Sequence, residues 1–520
     1  MGASREKKAR KELKQQQATT SGRRRKKTKK KESPPSVGVN IFAGIVITLV
    51  ILGVAALVFN ALRVPHRILT AVTVGGISVS PAEYDIYYYD TYYYLYYSWE
   101  QQELDPTDET YRDYFISLVG SQADSTLQNT VSLADLARKE GMQLDEDRQA
   151  TLNSTMETLA ETAKTAEKSV DRYLSSRYGA GVNRAVYEKY MTDSLLAEQW
   201  NEYILSTYEY SQSDYDGYYN ENKDDVDSVT CRYFSIPVGE VDTEDPDYEV
   251  LLEEAQLEAL AKVEEFMSLV DSEEAFIDAA VSFAPEESVD NYRNYPDDYT
   301  MVKNAQLSGW YDAQREWLVD PGRKEGDVEY FESADGSAYQ IYYFLSRQRD
   351  EYYTTVDVRH ILFAFQNEEE EEAATSSTYT DEQKQEAWKR AQEAYDRWKE
   401  GDANEDSFAE LANELTDDPG NVVDETPNGG LYEGITMGDM VFSFEEWCFD
   451  ADRKAGDTGL VETLYGVHLI YYVSHSENPH WIDIVRDSLL NNDMTEYMDD
   501  VLSKYPMEKK DFGMSFASAR

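Results

Sequence analysis

"EEWCFDADRKAGD", residues 445–457, is the second copy of a pattern that first occurs as "REWLVDPGRKEGD", residues 315–327, with Glu, Trp, Asp, Arg, Lys, Gly and Asp at the same offsets. Each copy is followed by an apolar, aromatic run, "QIYYFLS" or "HLIYYVS", and preceded by a similar one, "TCRYFSIPV" or "DVRHILFAF". Runs of this length, rich in aromatic and β-branched residues, predict strands. Helical segments lie between them, and Phe276 and Phe408 open "FIDAA" and "FAELA" at matching places. A period near 130 residues is too long for a solenoid and implies a duplicated domain, at about 228–350 and 354–476.

Upstream of the duplication the texture changes. "ILTAVTVGGISVSPAEYD" predicts two short strands around Gly75 and Gly76, then a helix starting at Ser80-Pro81. Beyond it, "TLQNTVSLADLARKEGM", "DEDRQATLNSTMETLAETAKTA" and "RAVYEKYMTDSLLAEQWNEYIL" are almost free of Gly and Pro and carry apolar residues at three- and four-residue spacings. Residues 66–225 are therefore expected to form one helical module. Its first long helix contains "YDIYYYDTYYYLYYSW", residues 84–99, with nine tyrosines and a tryptophan. Tyr84, Tyr88, Tyr92, Leu95 and Trp99 make one stripe, enough for a core face. Tyr89, Tyr93 and Tyr96 or Tyr97 make a second, open to packing or to contact with another polypeptide. Residues 477–520 predict a C-terminal helix and tail that pack back on this module.

Charge changes sign once along the 520 residues, a length sufficient for three or four domains. Residues 1–36 hold fourteen Lys or Arg against three Glu, whereas the remainder holds 35 basic and 98 acidic residues. Between them "NIFAGIVITLVILGVAALVFNAL" is free of charge from Ile41 to Leu62, long enough to cross a bilayer core as a helix. The expectation is a basic cytoplasmic tail (1–36), a single transmembrane helix (37–63) and an extracytoplasmic bulk, following the positive-inside rule. The run is long for a signal peptide, "VFNALRVPH" offers no clean cleavage site, and no Cys stands beside it to carry a lipid. The acidic remainder argues against nucleic acid as a partner. Cys231 and Cys448, the only cysteines, are expected as buried thiols.

Of five histidines, His360 and His468 fall on different predicted strands of the second copy. A lone strand His is more often a core residue than a catalytic one. Its surroundings change that reading: "VRHILF", "FAELANELTDD", "NGGLYEGITMGDMVFSFEEWCF" and "GDTGLVETLYGVHLIYYV" together resemble the parvulin family of peptidyl-prolyl cis/trans isomerases. The resemblance implies a four-stranded antiparallel sheet with surrounding helices and a site at its centre. It implies that His360, His468 and Asp418 are the catalytic set, and that Leu431, Met440 and Phe444 form a proline pocket, with Tyr465 at a hydroxyl position. Isomerisation breaks no bond, so no nucleophile, metal or cofactor is expected. The first copy departs from the pattern: Tyr233 stands for His360, Ala338 or Tyr339 for His468, and "YDAQ" shortens the pocket stretch, so a degenerate, silent domain is expected.

The order of helical module, two parvulin-like domains and C-terminal helix is similar to the extracytoplasmic foldases of the SurA and PrsA type. The expected whole is an α+β multidomain protein, a membrane-anchored isomerase and chaperone for unfolded exported polypeptides with X-Pro bonds. The alternative is a holdase whose parvulin-like scaffolds only bind. An acidic loop, "NEEEEE" at 367–372, would repel phosphate, so no preference for phosphorylated substrates is expected.

Overall fold

The computed structural model describes residues 61–518 apart from 103, 109, 244, 287, 308–309, 352, 366–378 and 424–425, with scattered positions from 48 to 59. The basic tail, about half of the expected membrane span and the acidic loop lie outside the described residues. Among the described residues no helix is long and apolar enough to cross a membrane. The chain divides into two compact units, residues 1–203 with 500–520, and residues 204–499.

The first unit is helical with a small antiparallel sheet. Strands β1 (Val72–Val74) and β2 (Ile77–Val79) meet across the Gly75-Gly76 turn. Gly75 has φ +56°, and a Cβ there would come 2.4 Å from the Tyr505 ring, so a glycine is needed on both counts. Helix α1 (Pro81–Gln101) starts where the sequence predicts, because Ser80 and Glu83 form a reciprocal capping box and Pro81 occupies the first turn. Helices α2 (Arg112–Lys139), α3 (Glu146–Thr165), α4 (Val170–Tyr178) and α5 (Arg184–Leu205) follow.

Both tyrosine stripes of α1 are engaged. Tyr84, Tyr87 and Tyr88 are buried, while Tyr92 and Trp99 set their rings edge-on to the buried Phe115. Tyr89 packs against the Ile86, Leu174 and Tyr178 cluster. The hydroxyl of Tyr93 donates to the Arg177 carbonyl, and the Arg177 guanidinium lies over the ring. The exposed rings are Tyr94 and Tyr97, at 68% and 62%.

The C-terminal tail closes this unit. Strand Met507–Lys509 adds to β1 as the third strand of the sheet. The Tyr505 hydroxyl donates to Asp135 at 2.7 Å and accepts from Lys139 at 2.9 Å. Asp85, wholly buried on α1, accepts the Ser518 amide on both carboxylate oxygens, at 2.8 and 3.0 Å.

The second unit contains two four-stranded antiparallel sheets of one topology. Strands β3 (Ser228–Pro237), β4 (Met301–Gln306), β5 (Val328–Glu332) and β6 (Ala338–Gln348) lie in the order β4-β3-β6-β5. Strands β7 (Val356–Ala364), β8 (Leu431–Ile435), β9 (Thr458–Glu462) and β10 (Gly466–His475) lie in the order β8-β7-β10-β9. In the first, helices α6 (Tyr248–Leu269) and α7 (Glu273–Phe283) cover one face, and α8 (Pro296–Thr300) and α9 (Asp312–Val319) follow. In the second, α10 (Asp381–Glu400) and α11 (Glu405–Leu415) cover the face of Ile361, Phe363 and Leu469, and α12 (Phe442–Cys448) the face of Val356, Val358 and Ile470. The period of two along β7 thus sorts its residues between two cores.

Each sheet also carries an equivalent ion pair: Arg232 binds Glu273, and Arg359 binds Glu405, joining the central strand to a helix that covers it. Cys231 and Cys448 are free, buried thiols on different elements.

The tail's closure of the helical unit is testable at Asp85. Asp85→Ala leaves the Ser518 amide without its acceptor and is expected to cost about 1–3 kcal/mol, read as a lower denaturant midpoint for the helical transition.

Candidate active site

Strand register brings the two histidines together. On β7 and β10, His360 lies opposite Ile470 and His468 opposite Leu362, so the imidazoles are diagonal neighbours on one face of the sheet. Their Nδ1 atoms are 3.2 Å apart, and His360 and His468 are only 3% and 5% exposed. Phe444, the first buried ring of α12, packs edge-on against both, at 5.5 and 5.2 Å between centroids.

Asp418 reaches the pair from the loop after α11, its Oδ2 lying 3.1 Å from His360 Nε2. That nitrogen has no well-aligned hydrogen-bond partner, so the contact is a close approach rather than a formed hydrogen bond. Asp418 also accepts from the Tyr432 hydroxyl at 2.9 Å and the Gly420 amide at 3.0 Å. Burial alone would raise its carboxyl, but the neighbouring His360 foremost, with the Gly420 amide and the Tyr432 hydroxyl, holds it at about 2, so it is ionised at neutral pH. Burial pushes His468 the other way, and with the charge of His360 brings it down to about 3, against a weaker pull from Asp418. The site therefore presents a neutral His468 and a carboxylate with His360 between them.

Hydrogen positions follow from the partners. Thr463, wholly buried, has its Oγ 3.0 Å from His468 Nε2, accepts the Tyr465 amide at 3.1 Å and faces the Gly466 carbonyl at 3.4 Å. If Thr463 donates to Gly466, His468 carries its hydrogen on Nε2 and accepts from His360 Nδ1. If Thr463 donates to His468, the Nδ1 hydrogen runs the opposite way. In the second arrangement His360 accepts on Nδ1 and carries its hydrogen on Nε2, facing the Asp418 carboxylate.

The fold gathers His360, His468, Asp418 and Phe444, with Met440 packed in the Phe444 cluster. It does not gather Leu431 or Tyr465 in the same way. Leu431 is half-buried opposite Arg359, on the face away from the imidazoles, and its neighbour Tyr432 takes the inner place with its ring 4.8 Å from His360. Tyr465 exposes half its side chain and contributes its amide to Thr463 rather than a hydroxyl to the site. Tyr432 and Thr463 are thus the functional neighbours that motif reading passes over. Strand parity from His360 identifies the first, whereas the second needs the β9–β10 hairpin geometry. "NGG" sets the start of β8: Gly430 has φ +68°, and a Cβ there would come 2.2 Å from the His360 carbonyl oxygen.

Among its described residues the first sheet has no such site. Tyr343 lies opposite both Arg232 and Val328, as Tyr471 lies opposite both Arg359 and Thr458. Tyr233 therefore occupies the place of His360, as the sequence predicts, but Gln340 rather than Ala338 or Tyr339 occupies that of His468. The reason is the turn: the β5–β6 hairpin is longer than the β9–β10 hairpin, which shifts the count by two residues. At the repeat offset of Phe444 stands Gln314, whose amide bonds Gln340, which in turn lies 3.4 Å from the Tyr233 hydroxyl. Polar side chains that satisfy one another have replaced the histidines and the pocket ring.

A four-stranded antiparallel sheet with paired buried histidines, an acidic partner and an aromatic pocket wall defines the parvulin class of peptidyl-prolyl isomerases. Residues 339–475 match the family model of the PPIC-type PPIASE domain. No curated protein matches the chain. Among solved structures it is similar to the peptidylprolyl isomerase PrsA from Bacillus cereus, with 21% identity over 30% of this chain and 50% of that one, and a TM-score of 0.18. The chain thus spans about half the length of that structure.

Because His468 titrates near 6.5 in the unfolded chain and near 3 in the fold, the unfolded state binds the extra proton between those values. Its stabilising contribution is complete above about pH 6.5 and is lost as pH falls. Asp418, near 2 in the fold, adds a second loss below about pH 4. Denaturant melts from pH 7.5 to 4 should show His468→Gln reducing the slope of stability by up to about 1.4 kcal/mol per pH unit; equal slopes would contradict a buried neutral His468.

Proposed function

We propose that this chain is a membrane-anchored, extracytoplasmic peptidyl-prolyl cis/trans isomerase that also holds unfolded exported polypeptides. The observation that carries the catalytic part is the His360–His468 contact, closed by Asp418 beside Phe444. Turning an X-Pro bond means leaving a planar amide whose barrier is about 18–20 kcal/mol. Planarity places partial negative charge on the carbonyl oxygen and partial positive charge on nitrogen, and the twisted form loses both. A fixed Asp418 carboxylate beside the carbonyl opposes the planar distribution and favours the twisted one. Phe444 and Met440 grip the proline ring, while His360 and His468, held by Thr463 and Tyr432, keep the polar floor from relaxing around the planar form.

A peptide isomerisation assay on the full-length protein tests this reading. Asp418→Ala should lower kcat/KM by roughly a hundredfold, and His360→Ala with Asp418→Ala should abolish catalysis. No activity at all would make the scaffold a binder only, and wild-type activity unaffected by the double substitution would remove catalysis from this site.

The anchoring part rests on the charge-free run from Ile41 to Leu62 behind a basic flank. The holding part rests on the aromatic surface of α1. With Tyr89 packed and Tyr93 bonded, the rings available to a client are Tyr94 and Tyr97, joined by exposed Tyr114 beside Trp99. Tyr offers apolar area at low entropy cost while tolerating water. Tyr94→Ser with Tyr97→Ser should halve, roughly, the suppression of aggregation of a denatured protein, each lost ring contact being worth about 0.5–1.5 kcal/mol. Helicity should stay unchanged, and full suppression by the double variant would remove this surface from the client path.

A further inference from the structure

The pocket stretch of the second parvulin domain is not held by that domain alone. Residues 436–441 lead into α12 and carry Met440 to the Phe444 cluster. Within the domain, the buried Glu445 accepts the Gly438 amide at 2.6 Å and the Met440 amide at 2.9 Å. At the start of α12, however, Val441 sits in the capping position and offers no side-chain oxygen to the helix amides.

The missing acceptor comes from the first parvulin-like domain. Asp298, on α8, accepts the Phe442 amide at 2.5 Å. From the adjoining β4, Lys303 sets its ammonium 4.8 Å from the centre of the Phe442 ring. A Cβ on Gly438, at φ +105°, would come within 3.0 Å of the Lys303 carbonyl oxygen. Between these contacts lies a cavity of 530 Å³ lined by Asp298, Met301 and Lys303 on one side and Met437, Met440 and Phe442 on the other. Removing Asp298 therefore leaves the Phe442 amide at the helix end without its acceptor, facing the cavity.

We infer that the first parvulin-like domain, though silent, positions the proline pocket of the second, and that Asp298 is the positioning residue through its bond to the Phe442 amide. This rests on the isomerase reading of the second domain. Asp298 touches neither substrate nor the imidazoles; it acts through the backbone that places Met440 and Phe444. Its loss should weaken the grip on proline alike in the planar and twisted forms, raising KM and sparing kcat.

The test is the steady-state kinetics of full-length protein in detergent on a proline peptide. Asp298→Ala is expected to raise KM about tenfold, the worth of one half-buried charge-assisted hydrogen bond, with kcat within about twofold. Asp298→Asn, whose amide oxygen still accepts, should restore KM to near the wild-type value. Unchanged KM in Asp298→Ala, a loss confined to kcat, or Asp298→Asn as impaired as Asp298→Ala would each overturn the inference. Should Asp298→Ala fail to fold, Lys303→Met, which removes the ammonium from the Phe442 ring, should raise KM about threefold, and an unchanged KM there would equally overturn it. An inactive wild type would instead overturn the isomerase reading, which separates the two failures.

Discussion

Two imidazoles whose Nδ1 atoms stand 3.2 Å apart can share only one hydrogen between them, and that constraint organises the catalytic domain. One ring must give and the other accept, so the far nitrogens need partners of defined character: Thr463 behind His468, and the Asp418 carboxylate beyond His360. Burial then disfavours charge on His468, and a carboxylate with two donors and His360 around it remains ionised. The sheet, the glycine pair that lets β8 approach β7, and the α12 ring that dries the site all serve to maintain this line of groups.

In the first sheet the constraint has been lifted. Its topology, its Arg232–Glu273 pair and its buried aromatic helix contact, Phe276, are retained. Its centre, however, has become Tyr233, Gln340 and Gln314, groups that bond each other and need no defined protonation state. A scaffold stabilised mainly by the two faces of its central strands can exchange the polar residues between them without refolding, provided that each finds a partner.

Much of this was legible in the sequence, for identifiable reasons. The Glu-Trp-Asp-Arg-Lys-Gly-Asp pattern marks the duplication because those residues build a helix end and a turn that both copies need. His360, His468, Asp418 and Phe444 were legible because they sit in contiguous, distinctive stretches. Tyr432 was hidden because Leu431 is the more obvious apolar residue, and only the pairing of β8 with β7 tells which of two neighbours faces inward. Gln340 was hidden because a two-residue difference in a hairpin leaves no mark in composition but moves every later side chain along the strand. On α1 the helical wheel identified both aromatic stripes. It could not show that Arg177 and the Leu174 cluster would cover the second.

The bond between Asp85 and Ser518 has a consequence for synthesis. It joins two residues separated by more than four hundred positions, and the strand that completes the β1–β2 sheet lies just before Ser518. A chain made from its N-terminus makes these helices before the two sheets, yet a buried carboxylate on α1 and the open edge of β1 wait for partners more than four hundred residues downstream. Both parvulin-like domains, whose strands pair only within residues 228–475, have all their parts before that point. Order of appearance and order of completion are therefore reversed: the helical unit is begun before both sheets and closed after them, so a product ended between residues 475 and 507 would carry two whole sheets and an unsealed helical unit.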